Sequence, residues 1–342
     1  MHLIGTVCGL RDGRSSIADR TRDMRGMVMG QTIAQGVNYL KKCVIVLRWA
    51  ERLESLTPLC GRLIKEGITC RAMLSEELSL PPEVEEGMLY LTDDFKVYAA
   101  LAGDGGGEPP VLIYLHPDNR DQDFGSARYA LEDPEETESE YLERVYRRCH
   151  NLPWEILVTE RCWLRETVEE DVDSFWEMYQ APELTRYTER LYPTPEAERR
   201  YVRDYRRLVY AFYEYGIWTV LDRHSGAVIG RAGLSAREGY DLPELGFVIG
   251  RRWQGRGLAE EVCRGILEHA RERLGFERIQ ALVHEENSVS LRLCRKLGFR
   301  EQPPPVVAAG EKQSGAGQGS WLVEMEQNGR RERFVYMVYS HI

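Results

Sequence analysis

The stretch Glu244-Leu-Gly-Phe-Val-Ile-Gly-Arg-Arg-Trp-Gln-Gly-Arg-Gly-Leu-Ala259 decides how the chain is read. It opens with strand-favouring residues that include Phe247, Val248 and Ile249, passes through glycines and arginines, and ends on the start of a helical pattern. That pattern continues with Leu258, Val262, Ile266, Ala270 and Leu274 on one stripe, which predicts a helix over 257–274. A strand, a glycine-rich turn and a helix start together aim backbone N–H groups and the positive end of a helix dipole at one point, which suits a pyrophosphate. Gly255 and Gly257 allow the backbone to approach a ligand without a Cβ in the way, and Arg252 and Arg256 add charge. A dinucleotide fingerprint needs a third glycine at 260, where Glu260 stands, so a Rossmann site is disfavoured.

Outward from this stretch, residues 218–221 and 228–234 read as strands around the turn signal His224-Ser225-Gly226. A strand at 279–283, a helix at 288–297 and a last hairpin turning at Asn328-Gly329 follow, with residues 310–320 as a flexible Gly/Ser/Gln-rich loop. Asn151-Leu-Pro-Trp154 reads as a hinge. Before it, strand and helix alternate: a helix at 31–41, a strand at 44–47, a helix at 53–66 and a strand at 88–92. A short helix from Asp94, a loop at 103–110, a strand at 111–115 and an acidic helix at 135–149 complete the series, the last with Tyr141, Val145 and Tyr146 on one face. This predicts a small parallel α/β layer. The expected division is a poorly ordered lead-in (1–29), a small α/β domain (30–152) and a second domain (156–342).

Length and composition agree with two soluble domains: 342 residues, 43% of them hydrophobic. The net charge of -10 is uneven, with 18 Lys+Arg against 26 Asp+Glu in residues 1–155 and 27 against 29 in residues 156–342. An acidic surface disfavours nucleic acid and tilts toward a cationic partner such as an amine. No apolar run approaches the roughly 20 residues a membrane helix needs, and charges interrupt the N-terminus where a signal peptide would be apolar. No membrane association is expected and a cytoplasmic location is. Eight cysteines without a C-x-x-C pair argue against a zinc site and a disulfide framework, so no metal is expected.

Arg252-Trp-Gln-Gly255-Arg-Gly257 resembles the R/Q-x-x-G-x-G/A signature of the GCN5-related N-acetyltransferase (GNAT) superfamily. Asn287-Ser-Val-Ser290 and Lys296-Leu-Gly-Phe299 resemble that family's N-x-x-S and K-L-G-F elements. Leu164-Arg165, Glu169-Glu-Asp171, Pro182-Glu183 and Gly230-Arg-Ala-Gly233 look like the branch that includes ribosomal-protein N-terminal acetyltransferases. The resemblance implies a mixed, mostly antiparallel sheet whose central strands splay to admit the pantetheine arm of acetyl-CoA, the expected co-substrate. Backbone groups of Phe247, Val248 and Ile249 would then pair with its amides, and Arg252, Gln254, Gly255, Arg256, Gly257, Leu258 and Ala259 would surround its pyrophosphate. Asn287 and Ser290 would lie beside the arm. The acceptor would be an amine of a small molecule or a protein N-terminus. Glu244, placed among Tyr240, Leu242 and Leu245, is the expected base. The family often has a tyrosine as proton donor to the leaving thiolate where this chain has Cys294, which makes that thiol the candidate acid.

Simpler readings compete. Glu244 could be an ion-paired carboxylate, Cys294 a small core residue, Ser290 a helix brace, and the tyrosines between 187 and 215 core rather than an acceptor pocket. His284 beside Glu285 reads as a solvated strand end. A catalytically silent acyl-CoA sensor is the main rival function. In the first domain, Asp93-Asp94 after a strand weakly resembles haloacid-dehalogenase-like (HAD-like) phosphatases, but Leu47-Arg-Trp-Ala-Glu51 lacks their Asp-x-Asp nucleophile, so a non-catalytic HAD-like scaffold is expected there, with phosphatase activity of that domain as the last-ranked alternative.

Overall fold

The computed structural model describes residues 38–103, 109–125, 127–305, 322–327 and 329–341. The expected lead-in, the expected loop at 310–320, Asn328 and most of the expected helix at 31–41 lie outside these. Residues 38–41 are not helical; they lead straight into the first strand.

Two sheets organise the molecule. The first is parallel throughout, in the order β2-β1-β3-β4-β5, with β1 Lys42–Leu47, β2 Thr69–Leu74, β3 Met88–Thr92, β4 Val111–Tyr114 and β5 Ala130–Leu131. Cys43, Ile45 and Leu47 face one layer of core and Val44 and Val46 the other, which is why this central strand reads as a continuous apolar run. The expected single helix at 53–66 is two, α1 Ala50–Ser55 and α2 Thr57–Lys65, broken at Leu56. Pro58 has no N–H to donate and disfavours a helical residue before it, so a new helix starts there. α3 is Phe95–Ala102, capped by the Asp94 carboxylate on the Lys96 N–H. The acidic helix starts later than expected, as α4 Ser139–Cys149, because Pro134 opens a separate 3₁₀ turn. Its inward face is Leu142, Val145, Tyr146 and Cys149; Tyr141 lies at the margin.

The second sheet has the order β12-β14-β11-β10-β9-β8-β7-β6, with β13 beside β14. Its strands are β6 Glu155–Val158, β7 Cys162–Arg165, β8 Ile217–Asp222, β9 Val228–Ser235, β10 Glu244–Ile249, β11 Arg278–His284, β12 Arg300–Glu301, β13 Leu322–Gln327 and β14 Arg330–Ser340. α9 Leu258–Glu272 and α10 Ser288–Leu297 cover one face, and Val262, Ile266 and Ala270 of the expected stripe are fully buried there. On the other face Phe175 of α5 Val172–Met178 and Glu198 of α7 Pro195–Tyr205 meet Arg231 of β9; α6 Pro182–Thr185 lies between them in the chain, and α7 continues through a π turn Arg206–Tyr210, whose Tyr210 joins the core with α9, into α8 Ala211–Tyr213.

β10 pairs with β9 at six positions and β11 with β14 at seven, yet β10 and β11 pair at one, Glu244 with Gln280. The two strands therefore fork along the rest of their length. Gly230 and Gly233 let β9 bend close to its neighbours: a Cβ would lie 2.2 Å from the Val248 carbonyl oxygen and 2.0 Å from that of Gly216.

The sheets are joined by buried charge. Arg148 of α4 donates to Glu166 Oε1 at 2.9 and 2.7 Å and to Glu214 Oε1 at 2.9 Å. Burial opposes the Arg148 charge, but the two carboxylates outweigh it and raise its pKa.

Candidate active site

β10 runs into Gly250 and a 3₁₀ turn, Arg251–Trp253. The Gln254 side-chain amide donates to the Ile249 carbonyl at 2.8 Å and closes that turn. Gly255 (φ 73°) and Gly257 (φ 76°) then take left-handed conformations that other residues adopt at a cost. Gly257 caps α9 without a side-chain acceptor, so the first-turn N–H groups point outward unclaimed by a cap. Two acids in that turn would repel an anion, but each is held by cations. Glu260 takes Lys296 at 2.6 Å and Arg264 at 3.0 Å. Glu261 takes Arg161 at 2.6 Å and the Thr159 hydroxyl at 2.6 Å. Lys296 and Arg264 hold Glu260 below the usual carboxylate range; burial pushes Glu261 up, but Thr159 and Arg161 bring it below as well. Arg256 stands 5.1 Å over the Trp253 ring beside an open cavity of ≈ 630 Å³, and Arg252 is exposed.

The Gly250 N–H donates to the Ile229 carbonyl at 2.8 Å, which fixes the parity of the β9–β10 ladder. Residues 246 and 248 share that parity, so the peptide groups of Val248 are turned to Arg231 of β9. Those of Phe247 and Ile249 face the fork. The expected trio is thus split, because an antiparallel ladder uses alternate residues on each side. Asn287 begins α10, its side-chain oxygen accepting from the Ser290 N–H at 3.1 Å, so both residues of that motif form a helix cap at the end of β11.

Glu244 sits where the fork closes, its side chain 15% exposed, and accepts from Arg237 Nη1 at 3.0 Å. Burial raises its pKa, Arg237 pulls it partly back, and the Glu189 charge adds to the rise. Tyr240 and Leu242 belong to the apolar cluster on this face, as expected, but Leu245 packs into the core on the opposite one, since neighbours on a strand alternate. Sequence reading missed Arg237. It lies in the loop between β9 and β10, and nothing local marks it as a partner.

Cys294 is a correction. It is 0% exposed, inside the core with Cys263, Leu291 and Leu297, and burial pushes its thiol up to about 12. A side chain with no accessible surface lines no open cleft, so this thiol is a core residue rather than a proton donor to a ligand. Tyr210 is likewise buried and Tyr205 half-buried: the Tyr210 hydroxyl donates to the Ile217 carbonyl and the Ile217 N–H donates to the Tyr205 hydroxyl. Tyr187 packs at a tilt against the His284 ring, centroids 4.9 Å apart, and Tyr192 lines a second cavity of ≈ 280 Å³ with Trp176 and Tyr179. His284 is not solvated: its ring is 11% exposed, 3.4 Å from Glu332, and accepts the Glu286 N–H.

At the strand ends of the parallel sheet, Asp93 is fully buried. It accepts the Arg48 N–H at 2.8 Å and lies 3.0 Å from His116 Nε2. The Asp118 N–H donates to His116 Nδ1, so the ring proton is on Nε2 and is given to Asp93. Asn119 and Gln122 occupy the Asp93 carbonyl. Among the described residues no group of three or more His, Cys, Asp or Glu side chains could hold a metal ion, and no helix is long and apolar enough to cross a membrane.

Comparison with known proteins centres on the second sheet. Residues 161–300 match the model of the acetyltransferase (GNAT) domain. The uncharacterized N-acetyltransferase p20 of Bacillus licheniformis is 28% identical over 152 residues, 43% of this chain and 84% of that protein. Among solved structures, the ribosomal-protein-S5-alanine acetyltransferase of Vibrio fischeri covers 54% of this chain and 95% of its own at 16% identity and a TM-score of 0.42. A RimL ribosomal L7/L12 alpha-N-protein acetyltransferase in complex with coenzyme A covers 55% and 98% at 15% identity and a TM-score of 0.43. The family match falls on the glycine turn and the fork, so residues 161–300 are similar to a GNAT acetyltransferase domain.

Proposed function

We propose that the chain transfers an acetyl group from acetyl-CoA to a primary amine, of a small molecule or a protein N-terminus, and that residues 38–152 are a non-catalytic partner of the transferase domain. The observation that carries this reading is the fork. β10 and β11 leave a gap inside a sheet, faced by the peptide groups of Phe247 and Ile249 and ending at the uncapped start of α9. These features fit an amide-bearing arm that ends in a pyrophosphate. The first-turn N–H groups from Leu258 onward, with Gly255 and Gly257, would hold the pyrophosphate, and Arg252 and Arg256 would add attraction. Acetyl-CoA would supply the activated acetyl group as a thioester.

The chain's own task is to deliver a neutral amine, because an ammonium has no lone pair. Glu244, whose pKa burial raises, takes that proton. Arg237 keeps the carboxylate oriented toward one side of the fork. With Cys294 in the core, the CoA thiolate leaves without a dedicated donor.

Calorimetry with acetyl-CoA, followed by free-thiol release against spermidine, kanamycin and an alanine-starting peptide, tests the reading. Wild type is expected to bind and to release thiol with at least one amine. Gly255→Glu, which puts a side chain in a left-handed position and a negative charge beside the helix start, is expected to lose at least about 10-fold in affinity. No binding by wild type sinks the reading. Binding without turnover of any amine leaves a silent acyl-CoA sensor, for which the Glu244–Arg237 ion pair is the supporting observation.

A further inference from the structure

Among the described residues Cys60 and Cys70 are the two cysteines that are not buried, and they face each other: the Cys70 S–H donates to the Cys60 sulfur, with the two Sγ atoms 2.7 Å apart. The fold brings them together. Leu59 and Leu63 turn one side of α2 into the core, and Cys60, three residues before Leu63, lies at the edge of that side. Gly67 (φ 84°) reverses the chain and the Ile68 N–H donates to the Leu63 carbonyl at 2.9 Å, so β2 runs back along the helix. Cys70 pairs in register with Cys43 of β1, and side chains in register on parallel strands share a face, so Cys70 points into the same layer as Cys43. The two sulfurs therefore join an edge strand of the first sheet to the helix packed on it. That strand has little else to hold it, since it pairs on one side only and Met73 is its one buried residue.

We infer that Cys60 and Cys70 are an oxidative modification site: hydrogen peroxide converts the pair to a disulfide that fastens β2 to α2, and two molecules of a small thiol reverse it, ending as their own disulfide. In the first step the Cys60 thiolate attacks one oxygen of the peroxide, and the O–O bond breaks. Cys60 becomes a sulfenic acid, and hydroxide leaves to take up the proton that Cys60 had lost. In the second, Cys70 attacks the Cys60 sulfur, the S–O bond breaks as the S–S bond forms, and the Cys70 proton leaves with the hydroxide as water. Two thiols have given up two electrons, and the peroxide has become two waters. The order of roles follows from the hydrogen bond, in which Cys60 is the acceptor and its thiolate is the one the pair stabilises. Burial pushes the Cys70 thiol up and its bond to Cys60 adds to the rise, so Cys70 keeps its proton until the second step. Selectivity follows from exposure: Cys43, Cys149, Cys162, Cys263 and Cys294 are buried where peroxide does not reach. The inference stands apart from the transferase reading, since neither cysteine belongs to the sheet that forks.

The test uses the full chain, oxidised with hydrogen peroxide while folded, quenched with catalase, then unfolded and alkylated with N-ethylmaleimide. Trypsin cuts after Arg52, Arg62, Lys65 and Arg71, so Cys60 and Cys70 fall on separate peptides, 53–62 and 66–71, that stay joined only through the new bond. Expected are two fewer maleimide adducts than in the reduced protein, the joined peptides as the main product, and their separation by dithiothreitol. Backbone amide exchange over 69–74 should slow at least about 10-fold in the oxidised protein, because the strand no longer frays independently of the helix. Cys70→Ser should leave Cys60 as a sulfenic acid that dimedone traps, and Cys60→Ser should give several-fold less trapping at Cys70. Recovery of both peptides unjoined from peroxide-treated protein overturns the inference, and so does Cys60 joined mainly to another cysteine such as Cys43. Trapping that favours Cys70 overturns the order of roles, and a joined pair with unchanged exchange overturns the fastening of β2.

Discussion

The strand ends of the parallel sheet and the fork between β10 and β11 are both places where a sheet opens to solvent, and they differ in how their polar groups are used. At the first, strand order reverses between β1 and β3, a common ligand position, yet each carboxylate oxygen of Asp93, its carbonyl and both ring nitrogens of His116 are taken by the chain itself. At the second, the start of α9 and the inward peptides of Phe247 and Ile249 are left over. Backbone groups at an opening that the chain leaves unused are free to bind a ligand, so they are a better guide to chemistry than the number of acids at a strand end.

The comparison breaks most readily at Glu244. Glu244→Gln is expected to lower kcat about 10²- to 10⁴-fold and leave acetyl-CoA affinity within about twofold, read by thiol release and calorimetry. Retained turnover would make this carboxylate a structural ion-pair member like those of the first sheet. Next in size is the joint between the regions. Arg148→Met leaves Glu166, 1% exposed, without its cation and should cost about 3–5 kcal/mol in urea unfolding, with kcat per folded molecule unchanged. Asp93→Asn should cost about 1–3 kcal/mol and also spare kcat. If it slows acetyl transfer at full folding, the first region is not the closed structure described.

The smallest effects concern pH. With Glu244 as the proposed base its carboxylate is the active form, and because burial raises its pKa, kcat/KM should climb with pH through a limb above the ordinary value of about 4.3. Arg237→Gln removes a charge that favours the carboxylate and should move the limb up; Glu189→Gln removes a repelling charge and should move it down. Opposite signs from two neighbours sharpen the assignment to Glu244, and a limb that ignores both removes it.

Sequence alone was most legible where period and punctuation agree. β3, β10 and α10 have the expected limits, since each is a short apolar or striped run closed by a strong signal. β2 was missed because it is an edge strand: Met73 is its one buried residue, so Thr-Cys-Arg-Ala-Met-Leu shows no alternation. β6 and β7 were missed as strands for their brevity. At the candidate site, the glycine turn and Glu244 were visible because they are contiguous. Arg237 and the pairing of Glu244 with Gln280 were not, since the first acts across a loop and the second is a register that only two separately placed strands define. The split of Phe247 and Ile249 from Val248 needed the same information, and so did the retreat of Cys294 into the core.

The single rung between β10 and β11 means that this sheet has four edges rather than two, and a pair of them is interior. Exposed edges invite foreign strands, and proteins usually cap them with charge, proline or a covering element. Here each inner edge is narrow, short and hedged by helices on one face, so a folded strand with side chains is too broad while a thin chain of amides can add its bonds to the ladder. Whatever fills the gap becomes part of the sheet, and amide hydrogen exchange at Phe247 and Ile249 should slow when it does.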